Sequence, residues 1–144
     1  MKVPNLRSCH DAVGGLVYFG RMLDKIRLHA QDKLPPDYTE NLGSGFDSRC
    51  CNLLHVKYED VVARVKLGGM DEDVLEWCFE QGRKPTDEEL ETWNDFMRKR
   101  GWNDAVSQRL TQRVKELSPQ WVGKIHTFFD YIEVDEGRPP RFAN

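Results

Sequence analysis

The chain has 144 residues, of which 31% are charged and 39% are hydrophobic, and its formal net charge is −3. This length fits one domain that buries roughly 68–70% of the surface of its unfolded chain, so we expect folding without a disulfide or a metal. No stretch approaches the about 18 apolar residues of a membrane span, and residues 1–7 lack the apolar core of a signal peptide. These features predict a cytoplasmic globular domain that does not enter a membrane.

Apolar residues recur with helical spacing in almost every segment of the chain and alternate convincingly in none. This spacing predicts an all-α fold, a compact single-domain bundle of about seven short helices. We expect residues 1–144 to form one helical domain, with residues 1–7 and 137–144 as extended termini.

The first predicted helix carries an apolar stripe from Leu16 to Ala30 and ends before Pro35 and Pro36. Gly14 and Gly15 interrupt the pattern upstream, so the helix is expected to begin near Leu16. A short helical segment is predicted over residues 37–42, and residues 43–45 (Gly-Ser-Gly) form a loop. Asp47 is the predicted N-cap of the short helix that follows, with Cys50, Leu53 and Leu54 directed inward.

Three further helix starts follow in the acidic middle of the chain. One unit places Tyr58, Val61, Val62 and Val65 on one face, and the next helix is predicted to have Asp71 as its N-cap and to end at Gly82. The clearest start is at residues 85–89 (Pro-Thr-Asp-Glu-Glu), where Thr86 and Glu89 form a capping box. This helix ends with the basic residues 98–100 and a glycine, as the helix dipole and C-cap preferences favour.

The last part of the chain predicts two helices. One opens at Asn103 or Asp104 and carries apolar residues as far as Leu117. The other opens at Ser118 and Pro119 and presents the widest apolar face in the chain. That face comprises Trp121, Val122, Ile125, Phe128, Phe129 and Ile132, and the pattern predicts a central helix.

Charge is unevenly distributed along the sequence. Residues 1–34 carry a net charge of +3, residues 35–97 carry −9, and residues 98–144 carry +3. A nucleic-acid-binding protein normally has a basic domain, so nucleic acid is an unlikely partner. The four cysteines form no Cys-x-x-Cys pair, and the four histidines do not complete a tetrahedral site. We therefore expect free thiols in a reducing compartment, no metal and no cofactor.

Several stretches together carry a family resemblance. They are residues 14–17 (GGLV), 21–27 (RMLDKIR), 41–47, 82–102 and 129–138, of which 93–102 (WNDFMRKRGW) is the most distinctive. The chain resembles the bacterial family called domain of unknown function 5069, in order and over nearly its whole length. The resemblance implies a small helical domain. It implies no catalytic residue and no cofactor.

One group of charged residues is a candidate for a site. Arg21, Asp24 and Lys25 lie on one side of the first helix, while Asp47 and Arg49 belong to the short helix after the glycine loop. If these residues meet, they could bind an anionic small molecule or support a proton transfer. Backbone N–H groups of the loop at residues 43–45 would add to an anion site. The same residues could equally form a structural salt-bridge lattice, and a solvent-exposed face is a further alternative.

The sequence contains no recognisable catalytic motif. It therefore favours a non-enzymatic binding or interaction module, whose partner is an unknown protein or a small anionic ligand. A homo-oligomer is possible. The alternative is a small-molecule or anion-binding protein, possibly an enzyme, that uses Arg21, Asp24, Lys25, Asp47 and Arg49 together with the Gly43–Gly45 loop.

Overall fold

The computed structural model describes residues 2–141, and most of this part of the chain is helical. Eight helices occur within the described residues, so the predicted all-α class with about seven helices is confirmed. Two very short strands, β1 (Ala12–Val13) and β2 (Leu16–Val17), precede the helices. The helices are α1 (Phe19–Ala30), α2 (Pro36–Thr39), α3 (Phe46–Leu54), α4 (Tyr58–Lys66), α5 (Asp71–Gln81), α6 (Asp87–Lys99), α7 (Ser107–Leu117) and α8 (Phe128–Asp135). None of the helices in residues 2–141 is long and apolar enough to cross a membrane.

The chain divides into two units, and each is described by itself. The N-terminal unit comprises Val3–Glu91, and the C-terminal unit comprises residues 92–141 with Lys2. The boundary lies within α6. The assignment of residues 1–144 to one domain stays a prediction. Of the predicted extended termini, residue 1 and residues 142–144 lie outside the described residues, whereas Val3 and Leu6 are buried.

Helix α1 supplies the central part of the core in the N-terminal unit. Phe19, Met22, Leu23 and Ile26 are buried along one face, as the apolar stripe predicts. A second cluster joins the N-terminal segment to the end of α1 and contains Val3, Leu6, Leu28 and Leu34. Both clusters remove apolar surface from water, which is the main favourable contribution to folding.

The prediction that the first helix begins near Leu16 is wrong. Leu16 and Val17 instead form β2, which pairs antiparallel with β1 through Gly14 and Gly15. Both glycines have positive φ, 56° and 80°, and consecutive residues of this kind are typical of a tight two-residue hairpin turn. The physical reason for the error is that strands of two residues are too short for a visible alternation.

The helices predicted in the middle of the chain are present, but two of their predicted N-caps are wrong: Met70 rather than Asp71 is the N-cap of α5, and Asp47 does not cap α3. Thr86 and Glu89 form the predicted capping box, because each backbone N–H donates to the side chain of the other over 2.9 and 3.1 Å. Asp47 lies in the first turn of α3, and Gly45 occupies the N-cap position. Asp47 does not cap the helix because its carboxylate is engaged elsewhere in the unit.

The prediction of one long helix from Ser118 to Ile132 is also wrong. Pro119–Trp121 form only a short 3-10 turn, and α8 begins at Phe128 with Thr127 as its N-cap. Between them Gly123 has a φ of 81°, which an α-helix does not accommodate. The preceding helix α7 begins at Ser107 rather than at residue 103 or 104. The apolar residues still pack together, in a C-terminal cluster built on Leu110, Val114 and Ile125 with Trp121, Phe128, Tyr131 and Val134.

Candidate functional site

Of the predicted polar residues of α1, Lys25 meets Asp47 in a buried network. The Lys25 ammonium lies 2.8 Å from Asp47 Oδ1 and donates to the Tyr18 hydroxyl over 2.9 Å. Tyr18 donates its own hydroxyl proton to Asp47 Oδ1 over 2.6 Å. All three side chains are buried, and Asp47 has no exposed surface. We call Tyr18, Lys25 and Asp47 the buried triad. Burying a charge costs a large desolvation free energy, and the hydrogen bonds of the Tyr18 hydroxyl to Asp47 and Lys25 help to offset that cost.

The glycine loop completes the bonding of Asp47. The backbone N–H of Gly43 donates to Asp47 Oδ2 over 3.0 Å, so both carboxylate oxygens have partners. Gly43 has a φ of 77°, and a Cβ at this position would lie 2.8 Å from the ring of Tyr58. Glycine is therefore required here both by the backbone conformation and by the space. The loop amide expected to bind an anion is used by a carboxylate of the chain itself.

Tyr18 occupies an uncommon backbone conformation. It immediately precedes α1 and has a φ of 70°, which costs a non-glycine residue about 1–2 kcal/mol. Burial, together with the negative charge of Asp47, raises the pKa of the Tyr18 hydroxyl well above its ordinary value. The hydroxyl therefore stays protonated and acts as a donor to Asp47. Its bonds to Asp47 and Lys25 hold the ring in place and offset the backbone strain.

A second polar group connects α1 with the N-terminal segment and with the start of α5. Arg7 pairs with Asp24 over 2.9 Å and with Asp71 over 2.7 Å, and Arg27 also pairs with Asp71 over 2.7 Å. Arg21, which is buried, donates to the carbonyl oxygen of Arg7 over 3.0 Å. Although burial opposes it, hydrogen bonding from Arg7 and Arg27 lowers the pKa of Asp71 below its ordinary value. These alternating charges form a salt-bridge lattice that connects the N-terminal segment, α1 and the start of α5.

The five predicted site residues therefore divide into three groups. Lys25 and Asp47 meet in the buried triad, and Asp24 and Arg21 belong to or adjoin the salt-bridge lattice. Arg49 lies exposed on α3. Of the alternatives left open by the sequence, these contacts favour the structural lattice, because the charged groups bond to one another. The assignment of the five residues to a ligand stays a prediction.

Sequence reasoning missed four residues of these networks: Arg7, Tyr18, Arg27 and Asp71. A signal existed for Tyr18, which precedes Lys25 by seven residues and therefore lies two helical turns away on the same side. No such signal existed for Arg7, because it belongs to a segment without helix or strand. In residues 2–141, no group of three or more His, Cys, Asp or Glu side chains is arranged to hold a metal ion.

The four cysteines are free and buried. Burial is the main cause that raises the pKa of Cys50, on α3, well above its ordinary value. The charge of Asp47 raises this pKa further, while that of Lys25 lowers it. Burial likewise raises the pKa of Cys51 and of Cys78 to about 12 each. Because the thiolate is the reactive form, these cysteines are poor nucleophiles in the folded chain.

We expect alkylation of the native chain by iodoacetamide at pH 8 to modify less than one thiol per molecule in the time that free cysteine reacts completely. In guanidinium chloride all four thiols should react, because unfolding restores their exposure and their ordinary pKa values. Intact-mass spectrometry measures both numbers. Rapid native labelling of Cys51 or Cys78 would contradict the burial and the pKa shift described here.

A pocket of about 400 Å³ opens between the β1–β2 hairpin and α5 in the N-terminal unit. We call it the hairpin pocket. Its apolar lining consists of Leu16 and Leu75, which are buried, and of Phe79 and Leu90, which are partly exposed. Gly14 belongs to the same wall, and a Cβ there would lie only 2.7 Å from Leu75, so the hairpin turn packs closely on α5.

The rim of the hairpin pocket is charged. Four exposed side chains lie around the apolar lining: Glu72, Glu76, Asp87 and Lys84. The Lys84 ammonium lies 5.7 Å from the centre of the Phe79 ring, a distance typical of a cation–π contact. None of the five predicted site residues lines this pocket. The pocket could not be predicted from the sequence, because the hairpin that forms one wall was itself missed.

Comparison with protein-family models gives a match over residues 3–138 to the model described as a domain of unknown function, DUF5069. The match covers more than nine-tenths of the chain and includes both the buried triad and the hairpin pocket. No curated protein matches the chain.

Proposed function

Because the chain belongs to the DUF5069 family, whose description leaves the function unknown, we propose a function from its own geometry: a non-enzymatic binding module that holds a ligand in the hairpin pocket. The observation that carries this proposal is the pocket itself. It combines an apolar lining with charged groups at the rim, and its volume of about 400 Å³ lies within the range of small-molecule sites.

The buried triad supports the non-enzymatic part of the proposal. A general acid or base must reach a proton on the substrate, directly or through one water. Asp47 has no exposed surface, and its two oxygens are bonded to Tyr18, Lys25 and the Gly43 amide. A substrate would have to displace these bonds before Asp47 could act. The triad is better suited to holding the glycine loop against α1 than to catalysis.

The same bonds weaken the alternative of an anionic ligand at the polar residues of α1. The Lys25 ammonium is already neutralised by Asp47, and the guanidinium groups of Arg7 and Arg27 are neutralised by Asp24 and Asp71. An incoming anion would compete with carboxylates that are held in place by the fold. We also propose a cytoplasmic location, since four buried free thiols suit a reducing compartment.

The test is a fragment screen by amide-detected NMR on the full-length ¹⁵N-labelled chain, with cationic, anionic and neutral fragments included in equal numbers. We expect saturable shifts centred on the amides of Leu16, Glu76 and Phe79. Truncation of the pocket wall by Phe79→Ala should weaken binding at least fivefold, because the ring is a large part of the apolar lining.

Phe96→Ala is the matched control, since Phe96 is a partly exposed aromatic residue outside the pocket. It should leave the affinity unchanged, and thermal melts show whether both variants remain folded. The proposal is overturned if no fragment shifts the pocket amides, or if saturable shifts cluster around Lys25 and Asp47 instead.

A further inference from the structure

The rim of the hairpin pocket carries more negative than positive charge. Glu72, Glu76 and Asp87 contribute three carboxylates, whereas Lys84 contributes the one cation among the lining residues. Within the part of the chain that the structure describes, none of these three carboxylates takes part in an ion pair. Lys84 offsets one of the three negative charges, so the rim keeps a net negative charge.

Helix formation explains only part of this arrangement. Asp87 is the first residue of α6 and Glu72 the second of α5, where acidic side chains favour the helix dipole. Glu76 lies in the second turn of α5, four residues after Glu72. Like charges at this spacing face one another and destabilise a helix. The helix dipole therefore does not account for Glu76, which lies at the pocket rim.

Lys84 indicates what kind of group suits the pocket. Its ammonium already lies over the Phe79 ring, at 5.7 Å from the ring centre, so the pocket accommodates a cation on that aromatic face. Lys84 follows α5 in the exposed connection to α6, and it is itself exposed. Its side chain can therefore leave the ring without disturbing the core. An ammonium group of a ligand that replaced it would find the same ring and the same carboxylates.

We propose that the hairpin pocket binds a small organic cation, a molecule with an apolar body and an ammonium group. The body contacts Leu75, Phe79 and Leu90, and the ammonium lies at the rim carboxylates. This inference rests on the proposed function and deepens it by naming the class of ligand. A pocket of about 400 Å³ has the size of a small-molecule site, which is why the proposal commits to a small organic cation rather than to a folded partner.

Three probes with the same phenylpropyl body separate charge from shape. They are 3-phenylpropylamine, 3-phenyl-1-propanol and 4-phenylbutyrate, titrated into the full-length chain at pH 7 and low salt. We expect the amine to bind most tightly, about three- to tenfold above the alcohol, with the carboxylate weakest. The preference should shrink when sodium chloride is raised to 0.5 M, because salt screens exposed charges.

Two substitutions at the rim should change the affinity for the amine in opposite directions. Glu76→Gln should weaken binding of the amine about three- to fivefold and leave the alcohol unaffected. Lys84→Met should strengthen binding of the amine by a similar factor, because it removes both a competing ammonium and a repulsive charge. Glu80→Gln is the matched control: Glu80 is an exposed carboxylate on the same helix that does not line the pocket, so neither affinity should change.

The outcomes distinguish this inference from the proposed function. If the alcohol or the carboxylate binds the pocket as tightly as the amine, the binding module stands and the cationic ligand is overturned. The same conclusion follows if the amine does not bind but other fragments of the screen do. If neither the three probes nor the screen shifts the pocket amides, both proposals fall. Equal effects of Glu76→Gln and Glu80→Gln would show a general charge effect and would also overturn the inference.

Discussion

Replacement of Asp47 by alanine is expected to lower the free energy of unfolding by about 3–5 kcal/mol, as removal of one partner of a buried ion pair typically does. Lys25 is only 6% exposed, so its ammonium would remain buried without a counter-charge. The Tyr18 hydroxyl and the Gly43 amide would lose their acceptor at the same time. Since most domains are stable by about 5–15 kcal/mol, this loss is a large fraction of the total stability. Urea unfolding followed by circular dichroism measures the loss.

A double variant separates the charge from the contacts. Lys25→Met combined with Asp47→Leu removes both buried charges, and it should lose less stability than the sum of the two single substitutions. Asp60→Ala provides the control, because Asp60 is an exposed carboxylate on α4 and its removal should change stability by no more than about 0.5 kcal/mol. A loss of less than about 1 kcal/mol for Asp47→Ala would show that the triad is not essential to the stability of the fold.

Gly82→Ala is expected to destabilise the chain by about 3 kcal/mol or more, at or beyond the upper end of the usual cost of overpacking. A Cβ at residue 82 would lie 1.8 Å from the carbonyl oxygen of Leu54 and 2.7 Å from that of His55. These are backbone atoms at the end of α3, so they cannot move aside as a side chain can. The same junction is held by Arg83, whose N–H donates to Leu54 over 2.9 Å and whose Nε donates to Leu53 over 3.0 Å. The substitution should therefore detach the end of α5 from α3, and the midpoint of urea unfolding should fall accordingly.

Gly68→Ala is the matched control for this steric argument. Gly68 has a φ of 86°, but an added Cβ would meet nothing within 4 Å. Only the backbone strain of a left-handed alanine remains, about 1–2 kcal/mol. Equal losses for the two glycine variants would contradict the close approach at Gly82, while a clearly larger loss at Gly82 supports it.

Helices whose signals lie within one short segment could be predicted well. Helix α6 is the clearest example, because Thr86 and Glu89 cap its start through bonds between residues three apart. The hairpin and α8 could not be predicted in the same way. Two-residue strands leave no periodicity, and the apolar pattern across residues 121–132 continues through Gly123, where the backbone turns away from a helix. The spacing of apolar residues predicts which residues become buried more reliably than it predicts where a helix begins.

For the candidate sites too, the sequence predicted some features and left others to the tertiary structure. Sequence alone singled out Arg21, Asp24, Lys25 and Asp47 as charged residues that could meet, and the family resemblance identified the family. Only the tertiary structure decided their partners. Lys25 meets Asp47 across 22 residues of chain, and Arg7 meets Asp71 across 64, so both contacts depend on how segments pack rather than on local spacing. The hairpin pocket depends on packing in the same way, because its walls come from segments that no sequence period relates.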